Sequence, residues 1–172
     1  SSPAWGASSP LTTSAAPPVV RAGTGDDEVA LTLLTTVRGL DVRFGDSARG
    51  DEATLYGMRM RGRGDLSWDL RTGRVTGLDG RTGHFQRARR INIRWMQTDI
   101  RVRGSALGEE LTSFPGDDGR ATFVAGAGPD AFDGSAEPDT FDGGPGRDTY
   151  IDDTGGPNRC RSVERDPRNS CR

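Results

Sequence analysis

The chain has 172 residues, an apolar share of 32% and a formal net charge of −2. Its 25 glycines exclude a helix-rich core, because glycine in a helix interior costs about 1 kcal/mol relative to alanine. No apolar run approaches the ~20 residues of a membrane-crossing helix, so no membrane span is expected.

Residues 1–21 open with SSPAWGASSPLTTSAAPPVV, rich in Ser, Ala and Pro and nearly uncharged. Such a composition cannot bury enough apolar surface to offset the entropy of ordering, which predicts a flexible linker. The first residue is serine, and the simplest expectation is that a secretory signal peptide was removed upstream. Residues 22–30, AGTGDDEVA, set Asp27 and Val29 two apart behind spaced glycines.

Between 31 and 103 the pattern is alternation: LDVRF (40–44), LYGMRM (55–60), LSWDL (66–70), INIRW (91–95) and DIRVRG (99–104). Apolar residues at every second place are what a half-buried strand requires. Met58, Met60, Trp68, Trp95 and Met96 are expected to fill the core. Arg59, Arg61, Arg63, Arg94, Arg101 and Arg103 alternate with apolar neighbours and would line an outer face. The plain reading is a solvated face. The functional one is contact with an extracellular anionic polymer: acidic polysaccharide, teichoic-acid-like polymer or nucleic acid. A nucleic-acid module would be basic overall and carry a recognisable motif, and this chain has neither.

Charge then reverses. Residues 59–103 carry twelve arginines against four aspartates, whereas residues 104–153 carry twelve acids against two arginines. An acidic block of that kind either stays disordered or folds around cations. Its rhythm favours folding. Asp130, Asp139 and Asp148 fall nine apart, each two residues before Phe132, Phe141 or Tyr150. Residues 143–151, GGPGRDTYI, match Gly-Gly-x-Gly-x-Asp-x-(large apolar)-x at every defined position. Residues 125–133 miss the first glycine, and 134–142 put Ser135 and Glu137 where glycines belong. Residues 116–124 carry Ala121 in place of the acid, and 104–112 are a degenerate copy with Glu109 and Leu111, followed by the insertion SFP.

These residues resemble the glycine- and aspartate-rich nonapeptide repeats of repeats-in-toxin (RTX), or haemolysin-type, calcium-binding proteins, which are secreted bacterial proteins. The resemblance is close over 116–151 and fair at 22–30 and 104–112. It implies an all-β fold, a right-handed parallel β-roll or β-solenoid in which two repeats complete one eighteen-residue coil. Residues 22–103 would be diverged coils and 104–158 the calcium-binding roll. In that geometry turns eighteen apart stack. Asp130 and Asp148 then share an edge, with Glu109 joining from below if the insertion bulges outward, while Asp139 sits on the other edge.

Calcium, a hard cation taking six to eight oxygens, suits carboxylates and the carbonyls of glycine turns. The resemblance implies a metal set of Asp130, Asp148, Gly126, Gly128, Gly144 and Gly146, a weaker contribution from Glu109, and Asp139 and Asp27 as lesser candidates. Asp27 has no acid eighteen residues on, since that position is Gly45. Calcium would act as a folding and stability ligand.

The chain closes with Cys160 and Cys171 in a Pro/Arg-rich tail, read as a disulfide cap over 159–172 that implies an oxidising compartment. No catalytic residue is expected. The single histidine, His84, has no nucleophile motif beside it, and the chain shows no zinc-ligand spacing or phosphate-cradling loop. The readings kept beside calcium binding are an adhesive or polyanion-binding surface protein using the arginine face, and a non-catalytic part of a larger secreted enzyme.

Overall fold

The computed structural model describes residues 19–32, 40–43, 51–56, 65–78, 81–86, 88–94, 98–113, 119–151, 158–166 and 171. All regular structure among them is strand. In chain order these are β1 (Val19–Arg21), β2 (Glu28–Thr32), β3 (Leu40–Arg43), β4 (Asp51–Tyr56), β5 (Leu66–Asp69), β6 (Arg74–Leu78), β7 (Arg81–Gln86) and β8 (Ala88–Arg94). There follow β9 (Ile100–Arg103), β10 (Glu110–Ser113), β11 (Ala121–Val124), β12 (Ala131–Asp133), β13 (Thr140–Asp142), β14 (Thr149–Ile151) and β15 (Arg159–Arg161).

The strands wind as a β-solenoid with two sheets. One runs β1-β3-β7-β6-β5-β9-β11-β13-β15 and the other β14-β12-β10-β8-β4-β2. Alternation decides which side chains face inward, since successive residues of a strand point to opposite faces. In the first sheet Trp68, Val102, Phe123, Phe141 and Cys160 occupy one register file. In the second the file is Val29, Ala53, Ile91, Leu111, Phe132 and Tyr150. Where the files face each other the rings interlock. Phe132 lies 5.9 Å from Phe123 and 5.5 Å from Phe141 across the files, and Phe141 stacks on Tyr150 at 6.0 Å, with all four rings buried.

Register confirms the coil length over the regular repeats. Phe123 pairs with Phe141 and Phe132 with Tyr150, each eighteen residues on. Below them Val102 pairs with Phe123 and Leu111 with Phe132, so the three inserted residues lengthen the coil without disturbing its winding.

Three stretches differ from the sequence expectation. Val19–Arg21, assigned to the linker, forms β1 on β3, with Val20 opposite Val42; two β-branched residues beside a strand edge outweigh the polar segment before them. The strand expected to begin at Leu55 begins at Asp51 and is described to Tyr56, while residues 57–60 lie outside the described residues. Finally, β5, β6 and β7 form an antiparallel meander inserted in an otherwise parallel sheet. Its first turn is closed by Asp69, whose carboxylate accepts the Arg71 N–H at 3.0 Å, and by Gly73 at φ 73°. Of the residues expected in the core, Trp68 is fully buried, while Met58, Met60, Trp95 and Met96 lie outside the described residues.

Candidate metal centre

Each regular turn ends with an acid immediately before its strand, which sets two rims along the solenoid. On the rim preceding β10, β12 and β14 stand Glu109, Asp130 and Asp148; on the other stand Ala121, the first residue of β11, and Asp139, immediately before β13. One hydrogen bond recurs. The Glu109 N–H donates to Asp130 Oδ1 at 2.8 Å, the Asp130 N–H to Asp148 Oδ1 at 2.9 Å, and the Ala121 N–H to Asp139 Oδ1 at 2.7 Å. Each carboxylate therefore satisfies a backbone donor one coil below, an N–H that would otherwise be buried without a partner. Asp130 and Asp148 meet on one rim, and Asp139 is on the opposite one.

The second carboxylate oxygen separates the turns into two kinds. Where position two of the repeat is serine, the acid is tied within its own turn. The Ser135 N–H and Oγ–H both reach Asp139, at 2.5 Å to Oδ2 and 3.0 Å to Oδ1, and Ser105 holds the Glu109 carboxylate in the same way. Where position two is glycine no hydroxyl is available. Asp130 and Asp148 are 2% and 0% exposed, and Oδ2 of each accepts no hydrogen bond. Sequence reading did not find this discriminator, although Ser105 and Ser135 carry it openly.

The glycine turns are also built differently. Gly126 and Gly144 have φ of 121° and 82°, in the range L side chains avoid. A Cβ on Gly144 would overlap the Gly126 carbonyl oxygen, and one on Gly146 would overlap that of Gly128. The Gly128 N–H donates to the Pro145 carbonyl at 3.1 Å, joining the two turns. The two orphaned carboxylate oxygens thus belong to two stacked glycine turns, the lower of which presses its carbonyls on the upper.

Electrostatics at this rim are unfavourable without a counter-charge. Burial, then the charges of Glu109 and Asp148, push the Asp130 carboxyl up to about 7 against the pull of the Glu109 N–H. Burial also raises Asp148, reinforced by Glu164, and raises Glu109 despite hydrogen bonds from Ser105. A bound cation reverses this balance by favouring the ionised forms.

Asp27 does find an acid in the next coil. Its N–H donates to Asp51 Oδ1 at 3.1 Å, twenty-four residues on, and its own Oδ2 is buried without a hydrogen-bond partner. Asp51 is 1% exposed and its carboxyl is raised by burial and by Asp27 and Asp26. The irregular coil length hid Asp51 from a search at eighteen. It likewise hid two cap residues. Asn158 Oδ1 accepts the Asp139 N–H at 2.7 Å, and Glu164 Oε2 accepts the Asp148 N–H at 2.7 Å, so the tail continues both rims. The residue above Asp139 is therefore Asn158, after a slip of one, as the pairing of Phe141 with Cys160 also shows.

Cys160 and Cys171 form a disulfide with a Cα–Cα distance of 5.2 Å. Of the arginines expected on the outer face, Arg101 and Arg103 are exposed on β9 and Arg94 is half-buried on β8; Arg59, Arg61 and Arg63 lie outside the described residues. No helix among the described residues is long and apolar enough to cross a membrane.

No protein-family model matches this chain, and no curated protein is similar to it. The rim is thus characterised by its own chemistry. Among the described residues no three His, Cys, Asp or Glu side chains gather as a metal cluster. A cation here would draw on two carboxylates and on backbone oxygens, a donor set suited to a hard ion and not to zinc.

Proposed function

We propose that this chain is a secreted, RTX-like calcium-binding protein in which calcium is a folding and stability ligand, held at the rim formed by turns 125–130 and 143–148. One observation carries the reading: Oδ2 of Asp130 and Oδ2 of Asp148, on consecutive coils, are buried with no hydrogen-bond donor. An unpartnered buried carboxylate oxygen costs several kcal/mol, and a divalent ion removes that cost for both groups at once. Asp130 and Asp148 would supply charge, and the carbonyls of Gly126, Gly128, Gly144 and Gly146 would complete a hard-oxygen set. The glycines serve by letting carbonyls of stacked turns approach where a side chain would intrude.

Calcium suits the site better than magnesium. Magnesium demands near-ideal octahedral geometry and gives up its waters reluctantly, whereas calcium accepts irregular carbonyl-rich sites. The serine-locked turns at Glu109 and Asp139 would contribute less, because their oxygens already have donors. Because no preformed donor set exists in an unfolded chain, binding free energy becomes folding free energy. The Cys160–Cys171 disulfide supports placement in an oxidising compartment, since such bonds do not persist in a reducing cytosol.

The test is circular dichroism during calcium titration, with magnesium as control. Strand signal should grow with calcium, and Asp148→Ala should weaken the response more than Asp139→Ala. Equal losses in the two variants would remove the assignment to this rim.

A further inference from the structure

We infer that the outer face of the first sheet holds a binding site for an acidic saccharide, whose sulfate or carboxylate groups are gripped by Arg101, Arg120 and Arg159. This inference uses a different face from the calcium rim and does not depend on it. The arginine block of the sequence ends at residue 103, yet winding returns cationic side chains to the same surface from β15. Arg101, Thr122, Thr140 and Arg159 occupy one register file across β9, β11, β13 and β15. At about 4.8 Å per rung, the two arginines stand roughly 14 Å apart along the file, with two threonines between them. Arg120 enters from the corner before β11. Together these residues line a hollow of about 470 Å³, within the range of small-molecule sites.

The guanidiniums are available. The Arg101 and Arg120 side chains are 67% and 65% exposed, and each already contacts one carboxylate: Asp65 at 3.6 Å and Asp99 at 3.0 Å. Exposed pairs of this kind are worth at most about 1 kcal/mol. Each guanidinium also has five N–H donors, so one carboxylate leaves donors in hand. Asp99 is held below the usual carboxylate range, because hydrogen bonds and charge from Arg120 and the charge of Arg101 outweigh burial. The other carboxylate in the wall, Asp139, is turned to Ser135 and Ala121. Three arginines meet three carboxylates, Asp65, Asp99 and Asp139, of which Asp139 is buried and turned away, so the solvent-facing charge of the hollow is positive.

The ligand class follows from what lies between the charges. Thr122 and Thr140 are half-buried outward residues whose hydroxyls suit the hydroxyls of a sugar ring. No aromatic side chain lines the hollow, so a nucleobase would have no stacking platform. An acidic glycan uses both the forks and the hydroxyls, and carboxylates and tetrahedral oxyanions both accept the bidentate fork of arginine.

The experiment is calorimetric titration of the whole chain in calcium-containing buffer with three tetrasaccharides, one sulfated, one of uronic acids and one neutral, and with a tetranucleotide. One of the two acidic tetrasaccharides should bind at one per chain, the neutral one should not, and the pair of arms tells sulfate from carboxylate. Arg159→Lys, which keeps charge but loses the fork, should weaken binding about tenfold, and Arg159→Ala at least as much. Arg161→Ala, exposed one outward position further along β15, should change affinity less than about twofold. Equal losses at Arg159 and Arg161 would mean diffuse electrostatic attraction and overturn the site. So would tetranucleotide binding as tight as the acidic saccharide, or no binding of either acidic tetrasaccharide; these outcomes need no variant to fold.

Discussion

Asp130 makes the stability of the metal-free protein depend on pH in an unusual direction. Its carboxyl titrates near 3.8 in an unfolded chain and at about 7 in the fold, raised by burial and by Glu109 and Asp148. Between those values the folded protein holds a proton the unfolded chain has released. Stability is therefore undiminished below about pH 4, falls as pH rises, and reaches its floor above about pH 7. Asp148 and Glu109 are shifted the same way and add to the trend. Asp69 and Asp99 are shifted downward, so their contribution is present above their unfolded values and is lost only at more acid pH. The two sets act in different windows, which places the optimum of the calcium-free protein near pH 4 to 5.

For Asp130 alone, the rise from 3.8 to about 7 corresponds to a ceiling of about 4 kcal/mol. The side chain is buried but belongs to a rim turn one residue from exposed Pro129, so water and relaxation reach it on ionisation, and about half the ceiling is the expected size. The assay is urea denaturation followed by circular dichroism, in calcium-depleted buffer at about pH 5 and about pH 7.5. Wild type should lose about 1–2 kcal/mol between the two, whereas Asp130→Asn should lose clearly less, keeping only the slope from Asp148 and Glu109, and be the more stable protein at the higher pH. Calcium held at this rim as proposed would favour the ionised carboxylates, so adding it should reverse the wild-type slope and leave Asp130→Asn largely unmoved. A calcium-free wild type more stable at pH 7.5 than at pH 5, or an asparagine variant that gains nothing there, would refute the idea of a charge deficit at this rim.

Four further outcomes follow from particular contacts. Gly144→Ala, forced into φ 82° against the Gly126 carbonyl, should cost about 2–4 kcal/mol by denaturation, whereas Gly23→Ala, with open space around it, should change stability by less than about 0.5 kcal/mol. Ser135→Ala removes the hydroxyl that Asp139 accepts and should destabilise by about 1–2 kcal/mol, read as a lowered urea midpoint with unchanged slope. Phe132→Ala opens a cavity among four buried rings and should cost about 3–5 kcal/mol in the same measurement. Reduction of Cys160–Cys171, which closes a separation of 11 residues, should lower stability by about 3 kcal/mol on the chain-entropy estimate, seen as a lower melting temperature with reductant.

What the sequence made legible is what strict period can encode. The nine-residue spacing of Asp130, Asp139 and Asp148 and of their partner rings fixed strand register to the residue, because eighteen residues close one coil and Phe132 then has to lie on Tyr150. Where coil length varies, the same logic loses its ruler. Asp27 meets Asp51 after twenty-four residues, Asp139 meets Asn158 after nineteen, and Asp148 meets Glu164 after sixteen. Each of these was invisible to a search at a constant step, although each partner is an oxygen-bearing side chain at the foot of the next coil. The β5–β6–β7 meander escaped for another reason. Alternation in LSWDL announces a strand but carries no information on direction, and the turn signal at Thr72-Gly73 is as compatible with a coil corner as with a hairpin. The contrast between serine-locked and glycine turns required knowing which oxygens already had donors, which only coordinates supply.

Winding also explains how a chain with so lopsided a charge sequence can fold at all. In a straight reading the acids of 104–153 repel one another and the arginines of 59–103 do likewise. A coil distributes the two differently. Position six of each repeat falls on a rim, which gathers Glu109, Asp130, Asp148 and Glu164 into one line along the stack. Outward strand positions fall on a sheet face, which gathers Arg101, Arg103, Arg159 and Arg161 from opposite ends of the acidic block. Backbone N–H groups soften the rim by donating to each carboxylate, but they satisfy one oxygen of two. Serine supplies the second donor at Glu109 and Asp139; glycine does not at Asp130 and Asp148. The choice between serine and glycine at position two therefore decides, turn by turn, whether both oxygens of an acid have donors or one is left without.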